Sequence, residues 1–222
     1  MESELVIERT IAFVKQQLIE AEGGHDWWHI YRVWSNVKVI ATVEGGNLLI
    51  IELAALLHDI ADAKFHQGDE GIGPKIASEF LKSLELDEKL INQVVYIIAH
   101  MSFKGGQEQP ENKSLEFQIV QDADRLDAMG AIGIARTFNY GGYKNREIYN
   151  PEIPPNLNQS KEAYKNSKAP TINHFYEKLL LLKDLMNTQT GKKMAAQRHQ
   201  FMELYLEQFF AEWNCTLTLR GV

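Results

Sequence analysis

The run Leu48–Leu57 is apolar apart from Glu52 and ends directly in the pair His58-Asp59. A helix that is apolar nearly all round has no face to offer to solvent, so other elements must surround it. The helix expected from about Asn47 to Ala61 is therefore a central, buried one, and it carries an imidazole and a carboxylate at its end. A charged group closing so apolar a stretch has to be paired or has to coordinate a metal, because burying it bare is expensive. A second histidine, His29, stands upstream, and the acidic segment Gln121-Asp122-Ala123-Asp124-Arg125-Leu126-Asp127 lies downstream. Two imidazoles and two carboxylates from three segments, with no thiolate, are a donor set suited to a divalent cation. That placement points to a hydrolase.

Composition narrows the classes. At 222 residues the chain fits one domain, and 1–222 is read as a single helical domain. A net charge of −7 argues against a protein that wraps a nucleic acid polymer through a basic face, yet leaves room for a small phosphorylated substrate. The single cysteine, Cys215, excludes an intramolecular disulfide and a cysteine-based zinc site. No stretch is long and apolar enough to span a bilayer, and the N-terminus carries no signal pattern, so a cytoplasmic location is expected and no membrane partner. Oligomeric state is not legible.

Helical periodicity dominates, and strands should be few or none. Val6, Ile7, Ile11, Val14, Leu18 and Ile19 recur at helical spacing before Gly23-Gly24. Asp26 caps the next helix, which Gly45-Gly46 stops. Further helices are expected at Ile72–Leu84, Asp87–His100, Ser114–Ala135, Thr171–Met186 and Thr190–Trp213. Two segments break the pattern: the polar loop Lys104–Lys113, and a long irregular connection at Asn139–Pro170 that is either a lid or a surface excursion.

With Asp26 as cap, His29 falls in the first turn of its helix and Arg32 follows one turn later. His58 and Asp59 lie roughly 100° apart on a helix, so both can reach one ion. Asp62 sits one turn beyond, where a general acid or base would stand. The fourth ligand is Asp124 or Asp122. Taken singly, each residue has an ordinary explanation as a core histidine or a helix cap. The combination His…His-Asp…Asp is harder to dismiss.

These segments, HDWWHIYRVW at 25–34, LLHDIADAKF at 56–65, IIAHMSF at 97–103 and IVQDADRLDAMGAIGIARTFNYGG at 119–142, together with 172–202, resemble the HD-domain metal-dependent phosphohydrolases. Within them the chain looks like the YpgQ/YedJ-like bacterial subgroup over nearly its whole length. The resemblance implies an all-α HD-domain helical bundle holding one divalent metal ion, Mn2+ or Mg2+ before Ni2+, Co2+ or Fe2+. It places the ligands on His29, His58, Asp59 and Asp124, preferring Asp124 because it stands in an Ala-Asp-Arg-Leu string. It assigns Asp62 to catalysis and His100 to a phosphate contact.

Lys64, Arg32, Arg125 and Arg136 lie next to the motif segments and are candidate counter-charges for phosphate, and Tyr140 and Tyr143 either close a lid or pack a loop. The expected activity is hydrolysis of a nucleotide-like phosphate ester or anhydride, with nucleoside triphosphates and pyrophosphate release as its finer form. The rivals are a two-iron oxygenase of the same superfamily and a non-catalytic nucleotide-binding protein that keeps the metal site.

Overall fold

Apolar positions recurring every third or fourth residue become helix after helix in the computed structural model, which describes residues 3–19, 26–61, 71–101, 110, 113–157 and 167–216. Helix α1 (Ser3–Gln17) buries Val6, Thr10 and Val14, a single stripe at four-residue spacing. Helix α2 (Trp27–Glu44) begins at the Asp26 cap and stops at Gly45, whose φ of 84° a right-handed helix cannot continue through. Helix α3 (Leu48–Leu57) is capped by the Asn47 side chain. Helices α4 (Ile72–Ser83) and α5 (Glu88–His100) pack on each other, and α6 (Leu115–Asp127) and α7 (Gly130–Tyr143) follow. A short α8 (Asn173–Glu177), a 3-10 helix at Leu179–Leu185 and the long α9 (Gln189–Trp213) close the order. The fold is all-α, with no strand among the described residues.

The central position expected for α3 is observed: it touches α1, α2, α5 and α6. Ile51, Leu53, Ala54, Ala55, Leu56 and Leu57 are fully buried there. Each large apolar side chain so buried contributes about 1.5–3 kcal/mol. Glu52, the one charge in the run, accepts a 2.6 Å hydrogen bond from Trp34 Nε1 on α2. Helix α6 is unusual in burying polar groups, namely Gln121, Asp122, Arg125 and Asp127. It packs against α2, α3 and α9, so its polar face is turned inward at the place where the motif segments meet.

Four expectations about elements are corrected, the first being that the helix expected to reach Ala61 ends at Leu57, with His58 as its C-terminal cap. The single helix expected over Ser114–Ala135 is two, because Gly130 takes a φ of 69° that ends α6 and starts α7 in a new direction. A Cβ at Gly130 would come within 3.1 Å of Arg198 Cγ, so space as well as φ selects glycine. The irregular stretch expected from Asn139 starts later, since α7 holds through Tyr143. The helix expected over Thr171–Met186 breaks at Lys178 (φ −144°, ψ −58°) into α8 and the 3-10 helix. In the latter, Leu179 and Leu182 are buried, and three residues per turn stack those two on one side.

Within the irregular connection, the backbone N–H groups of Thr171 and Ile172 donate to the carbonyls of Glu147 and Ile148 at 2.8 and 3.0 Å. Tyr149 lies edge-on against Phe209, Phe210 and Trp213 of α9. That part of the connection is pinned to the body. Most of the Lys104–Lys113 loop lies outside the described residues. No helix among the described residues is long and apolar enough to cross a membrane.

Candidate metal centre

The cap that starts α2 also sets the first histidine. Asp26 accepts from the backbone N–H of His29 at 3.0 Å, which holds His29 in the first turn. His29 is 3 % exposed. His58 ends α3, and its Nδ1 donates to the Ala55 carbonyl at 2.8 Å, using an acceptor that the helix end leaves over. His29 Nδ1 lies 2.7 Å from Asp127 Oδ2, a carboxylate that accepts its hydrogen. With both Nδ1 atoms donating, each ring turns its Nε2 lone pair outward.

Those two lone pairs meet. His29 Nε2 and His58 Nε2 are 3.2 Å apart, a separation that neutral acceptors hold only around a shared proton or cation. Asp124 Oδ1 lies 3.6 Å from His29 Nε2 and 3.7 Å from His58 Nε2. Asp59 Oδ2 is 3.8 Å from His29 Nε2. One donor atom from each of His29, His58 and Asp59 falls within 4.8 Å of the others. Two imidazole nitrogens and carboxylate oxygens converging in this way fit a divalent ion of hard or borderline character.

The electrostatics agree. Burial pulls the His58 imidazole down, but the hydrogen bond and charge of Asp124, with Asp59 behind, outweigh it and raise its pKa to about 9. Burial would raise Asp124, and the His58 hydrogen bond together with the charges of His58, His29 and Arg136 pulls it well below the carboxylate range instead. A proton and a metal ion compete for the same lone pair, so holding the metal requires releasing that proton. The Asp124 side chain remains 32 % exposed, which leaves the cluster open to a substrate on that side.

The choice between the two aspartates follows from helix geometry. Positions two apart on a helix point to different faces, so only one of Asp122 and Asp124 can reach the histidines. Asp122 is fully buried. It accepts from Asn187 N, Asn187 Nδ2, Thr188 N and Thr188 Oγ1, each at 2.8 Å. It ties α6 to the start of α9, and Gly191 leaves it room, since a Cβ there would lie 2.4 Å from Asp122 Oδ2.

The other expected residues fall into three groups. Arg32 and Arg136 are drawn in beside the cluster through Asp127. Arg32 Nε and Nη2 donate to Asp127 Oδ1 and Oδ2 at 2.6 and 3.0 Å, and Arg136 Nη1 donates to Asp127 Oδ2 at 2.6 Å. Arg125, expected as a phosphate contact, is instead 7 % exposed, and its guanidinium donates to the Leu185 carbonyl, a packing role. His100 stacks on Tyr96 at 4.3 Å and donates from Nδ1 to the Tyr96 carbonyl, outside the His-His-Asp cluster. Asp62 and Lys64 lie outside the described residues. Tyr140 and Tyr143 are both exposed, with Lys144 beside their rings.

Two groups were not singled out from sequence. Asp127 sits one turn after Asp124, a spacing that puts both on one face of α6 and would have flagged it. Burial would raise its pKa, but hydrogen bonds from His29 and Arg32 hold it at about 2. Lys178 stands at the irregular break after α8, where burial lowers its pKa and its charge is felt by Asp124 and Arg136. Nothing local in the sequence marks Lys178.

Comparison with known proteins places this geometry. Residues 27–129 match the HD domain family, a span that runs from the first residue of α2 to just past the end of α6 and so contains His29, His58, Asp59, Asp124 and Asp127. The chain is 36 % identical to YpgQ of Bacillus subtilis over 202 residues, 90 % of each protein. Its fold is similar to the crystal structure of an HD-superfamily hydrolase from Bacillus thuringiensis, at a TM-score of 0.77 and 47 % identity over 96 % of this chain and 98 % of that one. It is also similar to B. subtilis YpgQ crystallised in complex with ADP, at a TM-score of 0.76 and 32 % identity over 96 % and 97 % of the two chains.

Proposed function

The chain belongs to the HD-domain family, and we propose that it is a metal-dependent phosphohydrolase acting on a nucleotide-like phosphate ester or anhydride, with nucleoside triphosphates as the favoured class. The observation that carries this is the convergence of His29, His58, Asp59 and Asp124 donors, with two imidazole lone pairs 3.2 Å apart, beside two guanidiniums. A relative crystallised with ADP supports a nucleotide as the ligand class.

A divalent ion, Mn2+ or Mg2+ by preference, held by His29, His58, Asp59 and Asp124 would acidify water and polarise a phosphoryl oxygen. The chain's own groups supply the rest. Ala55 and Asp127 fix the rings of His58 and His29 by accepting their Nδ1 hydrogens. Asp62, three residues after Asp59 in sequence, takes the proton of the attacking water and returns it to the leaving group. Arg32, Arg136 and Lys64 balance the charge of the phosphates. Three carboxylates, Asp59, Asp124 and Asp127, face two guanidiniums, so a bound divalent ion makes the site net positive, the sign a phosphate needs.

The test is metal content of the purified protein followed by a screen of nucleoside mono-, di- and triphosphates with Mn2+ and Mg2+. About one ion per chain with release of phosphate or pyrophosphate is expected. Two irons with oxygen uptake, or nucleotide binding without turnover, would overturn it.

A further inference from the structure

We propose that Asp127 is a positioning residue that couples the two halves of this site, aiming His29 at the cation and, through the same carboxylate, holding Arg32 and Arg136 as a paired clamp for the substrate's phosphate. The clamp half rests on the phosphohydrolase assignment, whereas the His29 half stands on the donor geometry alone.

Asp127 is the last residue of α6, and its side chain is 2 % exposed. Its Oδ2 accepts from His29 Nδ1 at 2.7 Å, Arg32 Nη2 at 3.0 Å and Arg136 Nη1 at 2.6 Å, and its Oδ1 accepts from Arg32 Nε at 2.6 Å. The carboxylate is sealed underneath, while the arginine side chains above it stay 29 % and 26 % exposed. The Asp127 carboxylate accepts two N–H groups from Arg32 and one from Arg136, and Arg136 Nη1 also donates to the Asp127 carbonyl at 3.3 Å, so both guanidiniums are held in fixed orientation. Once a divalent ion offsets the charges of Asp59 and Asp124, the two guanidiniums outweigh Asp127, so the clamp carries a positive surplus at the rim. Arg32 lies one turn after His29 on α2, which puts that surplus beside the donor cluster.

For His29 the consequence is a fixed tautomer. A carboxylate can only accept, so Nδ1 keeps the hydrogen and Nε2 keeps the lone pair. An amide in its place can donate to Nδ1, which would move the hydrogen to Nε2 and remove the lone pair from the cluster. A residue that merely knots α2, α6 and α7 together would not have this effect.

The test compares full-length wild type with Asp127→Asn, Asp127→Glu, Arg32→Gln and Arg136→Gln. Mn2+ affinity is measured by calorimetry, the His29 ring nitrogens by 15N NMR on metal-free protein, and binding of inorganic pyrophosphate by calorimetry on Mn2+-loaded protein. Asp127→Asn should weaken Mn2+ binding by about 10–100-fold, the size seen when a partner of a metal-bound histidine is lost. It should also move the His29 proton to Nε2 and weaken pyrophosphate binding, with partial rescue in Asp127→Glu. The two arginine variants should keep wild-type Mn2+ affinity and lose pyrophosphate affinity about tenfold. A folded Asp127→Asn with wild-type Mn2+ affinity and an unmoved His29 proton overturns the proposal, as does undiminished pyrophosphate binding in both arginine variants. Should Asp127→Asn not fold, the arginine variants and the wild-type His29 proton, required on Nδ1, still decide. A wild type that binds Mn2+ as expected but turns over no nucleotide would refute the phosphohydrolase assignment without touching the Mn2+ and NMR results.

Discussion

Asp122 and Asp124 sit two residues apart on α6, and removing them should have opposite consequences. Asp122→Ala takes away an acceptor that is fully buried and engaged by four donors at 2.8 Å, two of them backbone N–H groups of Asn187 and Thr188. Hydrogen bonds to a charged group contribute about 1.5–3 kcal/mol each, and these four share one carboxylate, so the loss is not their sum. A destabilisation of about 3–5 kcal/mol is expected, which for a chain of this length lowers Tm by roughly 10 °C. The damage should spread to α9, because Thr188 caps that helix and Asp122 holds Thr188 in place. Mn2+ affinity of the molecules still folded should stay near wild type. Asp124→Ala removes a side chain that is 32 % exposed and whose hydrogen-bond partner in the metal-free protein is the His58 imidazole, so its metal-free protein should lose less stability than Asp122→Ala while its Mn2+ binding collapses. The assay is thermal unfolding in chelator-treated buffer beside Mn2+ calorimetry well below Tm. Loss of Mn2+ binding in folded Asp122→Ala, or its retention in Asp124→Ala, would show that the wrong aspartate has been assigned to the ion.

Two further outcomes follow from the site and its surroundings. Asp62→Asn should retain its metal while kcat falls by about 10²–10⁴-fold, the usual size of a general acid–base contribution; near-wild-type kcat would remove Asp62 from the mechanism, and loss of metal would make it a ligand. In metal-free protein, stability should peak near pH 6.5, with slopes of up to about 1.4 kcal/mol per pH unit on either side. His58 has a folded pKa of about 9 against an ordinary 6.5, so its contribution is complete below 6.5 and is lost as pH rises toward 9. His174, held down to about 3 by burial and by Lys178 and Arg146, binds its proton more readily unfolded, so stability falls as pH drops from 6.5 toward 3. Urea midpoints at pH 5, 6.5 and 8.5 check this, and a midpoint at pH 8.5 at or above that at 6.5 would refute the His58 part.

What could be read from the sequence was what one helix decides by itself. The all-round apolarity of Leu48–Leu57 required a central helix, and the Asp26 cap fixed where α2 begins. Helix phase then placed His29, and the end of the apolar run placed His58 and Asp59. The errors came where propensity and tertiary contact disagree. Gly130 sits inside a pattern that reads as a continuous helix, and only its φ of 69° and the closeness of Arg198 reveal the break. The leucine run Leu179–Leu182 looks helical, yet the break at Lys178 leaves it as a tighter 3-10 turn.

The spacing to Asp124 could flag Asp127 and nearness to the motifs could flag Arg32 and Arg136, but the link between them was out of reach. The Asp127 partners His29 and Arg32 lie 98 and 95 positions away, and Arg136 lies 9 positions on, across the Gly130 break. Periodicity along one helix cannot report a meeting of three. The residue type was informative only in hindsight: a buried aspartate needs donors, and an imidazole one helix away needs an acceptor to fix its tautomer. The same reasoning separates Arg32 and Arg136 from Arg125, which share a charge and a nearness to the motifs in sequence. Arg125 lies on the α6 face that turns to Leu185, whereas the other two rise from neighbouring helices over the single carboxylate that also holds His29. In the proposed clamp, which arginines meet the substrate's phosphate is therefore decided by where α6 ends, next to the break at Gly130.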